Sequence, residues 1–157
     1  MKLAPNFTLE ELTATSHAEH IEANRNPPAD VLAALGDLAQ LLQRIRDHYG
    51  KPIRVNSAYR NPDLNLLIGG STTSQHVKGQ AADFVVLGGP TLPEVFDWLR
   101  LESNLHWGQL ILEGGPPPTW IHISLGVPYR TAARSQQAMT WTPKTGYTRI
   151  GNDAKNA

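Results

Sequence analysis

The stretch from Ala29 to Tyr49 constrains the fold most, because it carries the strongest helical pattern in the chain. Large aliphatic side chains recur in it at three- and four-residue steps and form one apolar stripe. The stripe consists of Leu32, Leu35, Leu38, Leu42 and Ile45. Gly50 and Pro52 then end the helix. We predict a structural helix here, in a chain whose 157 residues suffice for one domain with a real core.

Short runs with strand or helix character occupy much of the remaining chain. The predicted strands are 53–57, 83–87, 109–113 and 120–124, with a closing hairpin of 138–142 and 146–150. The predicted shorter helices are 8–12, with Thr8 as its cap, and 92–101. The polar residues 15–28 are predicted to form a loop, and the polar tail from Gly151 is predicted to fray.

The composition excludes several classes of protein and site. There is no cysteine, so any zinc must be held by His and Asp or Glu. Fourteen basic and fourteen acidic side chains cancel, which gives no nucleic-acid footprint. No apolar run reaches the ~18 residues of a membrane span, and the N-terminus lacks the apolar core of a secretory signal. We expect a soluble monomer made in the cytoplasm, with no nucleic-acid or membrane partner.

Residues 74–83 form the segment with the clearest chemical content. His76 and Asp83 lie seven positions apart, and Gly79 and two alanines fill most of the gap. Gly79 indicates a tight turn, and an apolar run after Asp83 indicates that this aspartate opens a buried strand. A neutral imidazole and a carboxylate at the mouth of a strand make two thirds of a catalytic zinc site, which has three protein ligands and one open position. A chance surface pair is the alternative.

The predicted strands 109–113 and 120–124 supply a third ligand and a base if they form a hairpin. Glu113 then faces Trp120, and strand alternation puts His122 on the same side of the sheet. Glu113 and His122 become diagonal neighbours, close enough to share one water. This arrangement depends on the register of the hairpin. The alternative for His122 is a buried histidine with a satisfied hydrogen bond.

Together these residues predict a zinc site with a base and a cation. His76, Asp83 and His122 give two imidazoles and one carboxylate, with a fourth position for water. Glu113 could take a proton from that water and pass it to a leaving amine. Arg60, just past the strand at 53–57, could polarise a substrate carbonyl or bind a carboxylate. A surface ion pair is the alternative for Arg60.

Several segments together resemble the zinc D-alanyl-D-alanine carboxypeptidase family, which belongs to the group shared with lysostaphin and the hedgehog signalling domain. The segments are SAYRNP at 57–62, GGS at 69–71, SQHVKGQAAD at 74–83 and WIHIS at 120–124. The opening FTLEEL at 7–12 looks like the phage-type branch. The resemblance covers nearly the whole chain, from about Phe7 to Ile150. It implies a single α+β domain over 1–157, with a central antiparallel sheet and helices on one face.

The resemblance also implies the site and its chemistry. It places Zn²⁺ on His76, Asp83 and His122. Several members have the catalytic acid three residues before the last histidine, where this chain has Thr119. The phage-type branch has a glutamate near the end of the preceding strand, and Glu113 matches it.

We predict Glu113 and Arg60 as catalytic residues, and Arg60, Ser74 and Trp120 as substrate-binding residues.

The predicted function is a zinc metallopeptidase that hydrolyses peptide bonds in the stem peptides or cross-links of peptidoglycan. A phage-type lytic endopeptidase is the leading form, acting on the bacterial cell wall after release by lysis machinery or from a virion. A D-Ala-D-Ala carboxypeptidase is the first alternative. A binding module that holds zinc without catalysis is the second, since relatives of the hedgehog type show that the fold can serve that role.

Overall fold

The computed structural model of the protein describes residues 1–126 and 136–151, which form both strands and helices. The strands are β1 (Lys2–Ala4), β2 (Phe7–Thr8), β3 (Ile53–Ser57), β4 (Ala81–Val86), β5 (Gln109–Glu113), β6 (Trp120–Ser124), β7 (Gln137–Thr142) and β8 (Gly146–Ile150). The helices are α1 (Leu9–Leu12), α2 (Ile21–Arg25), α3 (Ala29–Tyr49), α4 (Pro62–Leu67) and α5 (Leu92–Leu101), with 3-10 turns at Ala18–His20 and Gln75–Lys78. None of these described helices is long and apolar enough to cross a membrane.

Six strands form one mixed sheet in the order β3-β4-β6-β5-β7-β8, and β1 and β2 pair separately. All neighbours in the large sheet are antiparallel except β5 and β7, which are parallel. Both edges of β6 are already paired, so β7 adds to the free edge of β5. The α+β prediction is therefore confirmed, with one parallel pair in a sheet that was expected to be antiparallel.

Helix α3 forms over the predicted range, because the side chains of its apolar stripe pack into the hydrophobic core. Gly50 ends it in the left-handed conformation with φ +61°, and the Gly50 N–H donates to the Arg46 carbonyl at 2.8 Å. The fully buried members of the stripe are Leu35, Leu38, Leu42 and Ile45. Burial of each such side chain contributes about 1.5–3 kcal/mol.

Strand alternation separates the two faces of the sheet. The buried aliphatic and aromatic residues of β4, β5 and β6 join the residues of α3 and α5 in one core. These strand residues are Phe84, Leu110, Ile121 and Ile123. Their neighbours along the strands, including Asp83 and His122, point to the opposite face. The helices therefore leave one face of the sheet available for polar chemistry.

Most predicted elements are confirmed, and two are corrected. The predicted loop at 15–28 contains the 3-10 turn Ala18–His20 and helix α2, because buried side-chain hydrogen bonds stabilise this polar segment. Asp83 is the third residue of β4 rather than its first. Of the tail predicted to fray, residues 152–157 lie outside the described part of the chain.

Candidate functional site

The 3-10 turn Gln75–Lys78 fixes the position and the tautomer of His76. Ser74 caps the turn, since its hydroxyl accepts a hydrogen bond from the His76 backbone N–H at 3.2 Å. The His76 ring is 4% exposed, and its Nδ1–H donates to the Ala58 carbonyl at 2.7 Å. Nδ1 therefore carries the ring proton, and Nε2 keeps a lone pair.

Gly79 ends this turn and lets it approach helix α3. Its φ is +70°, and a Cβ at this position would lie 2.9 Å from the Val31 carbonyl oxygen. Only glycine fits both the backbone conformation and the space. Ala81 and Ala82 follow and are fully buried beneath the site. The tight turn and close packing expected from the sequence are confirmed.

Asp83 and His122 are direct partners across β4 and β6. His122 Nδ1 donates to Asp83 Oδ1 at 2.8 Å, and His76 Nε2 lies 3.5 Å from the same oxygen. Burial alone would raise the pKa of the Asp83 carboxyl. The hydrogen bond from His122 and the close approach of the His76 imidazole outweigh burial and hold that pKa well below its usual range. Asp83 is therefore an ionised carboxylate between two histidines, and it accepts a hydrogen bond from His122.

The three side chains fit the donor requirements of a zinc ion. Each offers one ligand atom, and these atoms lie within 4.8 Å of one another. Ligands at ~2.0–2.2 Å in a tetrahedral zinc site lie about 3.4 Å apart. The separations from Asp83 Oδ1, 2.8 Å to His122 Nδ1 and 3.5 Å to His76 Nε2, lie on either side of that value. Zinc would take the place of the proton that His122 Nδ1 donates to Asp83. The Ala58 carbonyl also orients His76 as outer partners of metal-ligating histidines do.

Glu113 ends β5 directly opposite Trp120 and two residue pairs away from His122, on the same face of the sheet, as the predicted hairpin register requires. Burial and the Asp83 charge raise the pKa of the Glu113 carboxyl, while the nearby His122 acts in the opposite direction. The indole nitrogen is itself buried and has no hydrogen-bond partner within the described ranges. Glu113 therefore lies beside the three predicted metal ligands, and its carboxyl group has a raised pKa.

Arg60 reaches the site from the segment after β3. Its backbone N–H donates to the His76 carbonyl at 3.2 Å. Its guanidinium donates to Asn65 Oδ1 at 3.3 Å through Nε, and to the Ser74 hydroxyl at 3.4 Å through Nη2. Burial lowers the pKa of this guanidinium, and the Asp83 carboxylate opposes that effect. The geometry brings Arg60 and Ser74 together beside the predicted metal site.

Asn24 supports the Arg60 segment and was not singled out from the sequence. It is fully buried, and its amide donates to the carbonyls of Thr13 at 2.7 Å and Tyr59 at 3.0 Å. Its side-chain oxygen accepts from the Asn61 backbone N–H at 2.8 Å. The residues on both sides of Arg60 are therefore tied to one buried amide. An asparagine in a polar stretch gives no local signal of this role.

All the predicted site residues line one cavity of about 650 Å³. They are Arg60, Ser74, His76, Asp83, Glu113, Trp120 and His122. Gln137 of β7 and Tyr147 of β8 also line the cavity, and sequence reasoning did not find them. A pattern of alternation predicts these strands but not which sheet edge they join.

Two imidazoles and one carboxylate that leave a fourth coordination position for water are typical of hydrolytic metalloenzymes. A family model described as Peptidase M15 matches residues 5–124. Because this match covers most of the chain, the protein belongs to the M15 peptidase family. Peptidases of this family are metal-dependent. Comparison with curated proteins gave no match.

Proposed function

We propose that the protein is a zinc-dependent peptidase that hydrolyses peptide bonds in peptidoglycan stem peptides or their cross-links, as a phage-type lytic endopeptidase does. The observation that carries the proposal is the grouping of His76, Asp83 and His122 next to Glu113 in one cavity. In this role the enzyme would reach the cell wall after release by lysis machinery or from a virion. It would act as a monomer.

His76, Asp83 and His122 would hold the metal. Zinc, when bound in such a site, supplies a Lewis acid and increases the acidity of water. Glu113, which lines the same cavity, would accept a proton from the attacking water and return it to the leaving amine. Its raised proton affinity suits this exchange, because a base must also act as an acid in the second step.

Arg60 would orient the substrate. Among the described residues that line the cavity it is the single lysine or arginine, and Asn65 and Ser74 hold its planar group. A guanidinium in this position can bind a carboxylate or a developing oxyanion. Since a terminal carboxylate is one such group, Arg60 also favours the second candidate function, a D-Ala-D-Ala carboxypeptidase.

Turnover of purified peptidoglycan with and without a chelator tests the proposal. We expect hydrolysis that stops with the chelator and returns when zinc is added back. Mass spectrometry of the products separates the two activities: release of single D-alanine indicates a carboxypeptidase, and larger fragments indicate an endopeptidase. A folded, zinc-loaded protein with no turnover would contradict the proposal and favour the binding module.

A further inference from the structure

The side-chain amide of Asn65, in helix α4, joins Arg60 to the loop that follows this helix. Asn65 Oδ1 accepts a hydrogen bond from Arg60 Nε at 3.3 Å, and Asn65 Nδ2 donates to the Ser71 carbonyl at 2.9 Å. Asn65 is 3% exposed, so these hydrogen bonds are shielded from water. Both ends of the amide are therefore used, one by the Arg60 side chain and the other by the loop.

These two contacts belong to a closed ring of hydrogen bonds. The Ser71 carbonyl also accepts from the Ser74 backbone N–H at 3.0 Å. The Ser74 hydroxyl accepts from Arg60 Nη2 at 3.4 Å, which closes the ring. The same hydroxyl accepts from the His76 backbone N–H at 3.2 Å. The ring therefore fixes the guanidinium of Arg60 relative to the turn that carries His76, a predicted metal ligand.

Gly70 leaves the space that the Asn65 amide occupies. The Gly70 backbone N–H donates to the Asn65 carbonyl at 2.8 Å, which brings the loop close to the helix. A Cβ on Gly70 would overlap with Asn65 Oδ1, the atom that accepts from Arg60. A residue larger than glycine would therefore displace the acceptor of Arg60 while Asn65 itself stayed in the chain.

The partner of the Arg60 guanidinium is a neutral amide rather than a carboxylate. None of the salt bridges among the described residues includes Arg60. An amide acceptor orients a guanidinium through a directional hydrogen bond without neutralising its charge. Asn65 does not line the catalytic cavity, whereas Arg60 does. Asn65 can therefore affect a bound substrate only through the residues that it holds.

We propose that Asn65 is a positioning residue, which holds the Arg60 guanidinium in the orientation that the peptide substrate requires. The inference rests on the proposed function, because it assumes that Arg60 binds the reacting carbonyl or a carboxylate of the substrate. It adds that a buried amide outside the cavity, with space provided by Gly70, sets the geometry of that contact.

A double-mutant cycle on the turnover of purified peptidoglycan tests this role. Asn65→Ala should lower the turnover of the otherwise wild-type enzyme by about tenfold, because a small misplacement of a substrate-binding group is costly. In the Arg60→Ala background the same replacement should lower turnover by less than about twofold, since no guanidinium is left to orient. Elemental analysis should find the same zinc content in all four proteins.

Gly70→Ala is the second variant, because it displaces the acceptor of Arg60 and keeps the buried amide. It should reproduce the loss of turnover, with the same dependence on Arg60. Asn56→Ala is the matched control, because Asn56 also accepts from an arginine Nε at 3.3 Å, that of Arg54, but lies exposed on strand β3. It should leave turnover unchanged.

Three outcomes would overturn the positioning role. The first is wild-type turnover of Asn65→Ala, and the second is an equal loss in both backgrounds, which would indicate a structural role that is independent of Arg60. The third is loss of zinc from Asn65→Ala, which would show that the residue acts through the metal site. If Asn65→Ala does not fold, the cycle with Gly70→Ala decides by the same outcomes. If the wild type hydrolyses no peptidoglycan, the proposed function itself is wrong.

Discussion

Replacing Asn24 with Ala should destabilise the protein strongly, because one buried amide satisfies three backbone groups. The variant would leave the carbonyls of Thr13 and Tyr59 and the N–H of Asn61 without these partners. Each stranded buried group costs about 1–3 kcal/mol. Since water can enter the vacated space, we expect a total near the lower end, about 3–5 kcal/mol. In a chain of this length that corresponds to a Tm lower by about 10 °C.

Thermal unfolding followed by circular dichroism, with a chelator present so that metal binding adds no stability, measures this loss. Asn26→Ala is the matched control, because Asn26 follows the same helix, is exposed, and its side-chain amide donates to Glu22. Its effect should stay within about 0.5 kcal/mol. A Tm of Asn24→Ala equal to that of the control would show that the buried network does not hold the Arg60 segment.

Three further variants test separate parts of the structure. Gly79→Ala should lower the free energy of unfolding by about 2 kcal/mol or more, because Gly79 has φ +70° and a Cβ there would lie 2.9 Å from the Val31 carbonyl oxygen. The control Gly36→Ala, at a helical position with open space around it, should raise the free energy of unfolding by up to about 1 kcal/mol. Equal unfolding midpoints for the two variants would contradict this prediction. Arg60→Lys keeps the charge but loses the planar fork, so turnover should fall about tenfold or more, and wild-type turnover would make Arg60 a surface charge. Burial raises the pKa of the Glu113 carboxyl, so the ionised form of this group destabilises the folded protein above the ordinary pKa of 4.5. The metal-free Glu113→Gln variant should therefore unfold at a higher temperature than the metal-free wild type at pH 7, and the difference in Tm should disappear as the pH falls below 4.5. A difference in Tm that stays constant with pH would refute the reasoning.

The register of the β5–β6 hairpin shows why part of the site could be predicted. Alternating apolar residues fix which side of each strand is buried, and the turn length then sets the pairing. Glu113 opposite Trp120 follows from these two local constraints, and the structure has that register. Helix α3 was predictable for the same reason, since its stripe has a period that only a helix places on one face.

Features that depend on distant pairing were not predictable. Strand β7 joins β5 because both edges of β6 are occupied, which is a property of the whole sheet. Gln137 and Tyr147 consequently reach the cavity from a segment whose local pattern shows only a hairpin. Asn24 is similar, because its partners at Thr13, Tyr59 and Asn61 come from three places in the chain.

The proposed mechanism depends most directly on a division of roles between Glu113 and the three predicted metal ligands, His76, Asp83 and His122. Elemental analysis and turnover on purified peptidoglycan, measured together on Glu113→Gln, test that division. We expect about one zinc per chain, as in the wild type, and turnover lower by ~10²–10⁴-fold, because the amide cannot accept a proton. Asp83→Ala serves as the comparison and should lose both metal and activity. Loss of zinc from Glu113→Gln would make Glu113 a ligand, and retained zinc with unchanged turnover would show that another group carries the proton.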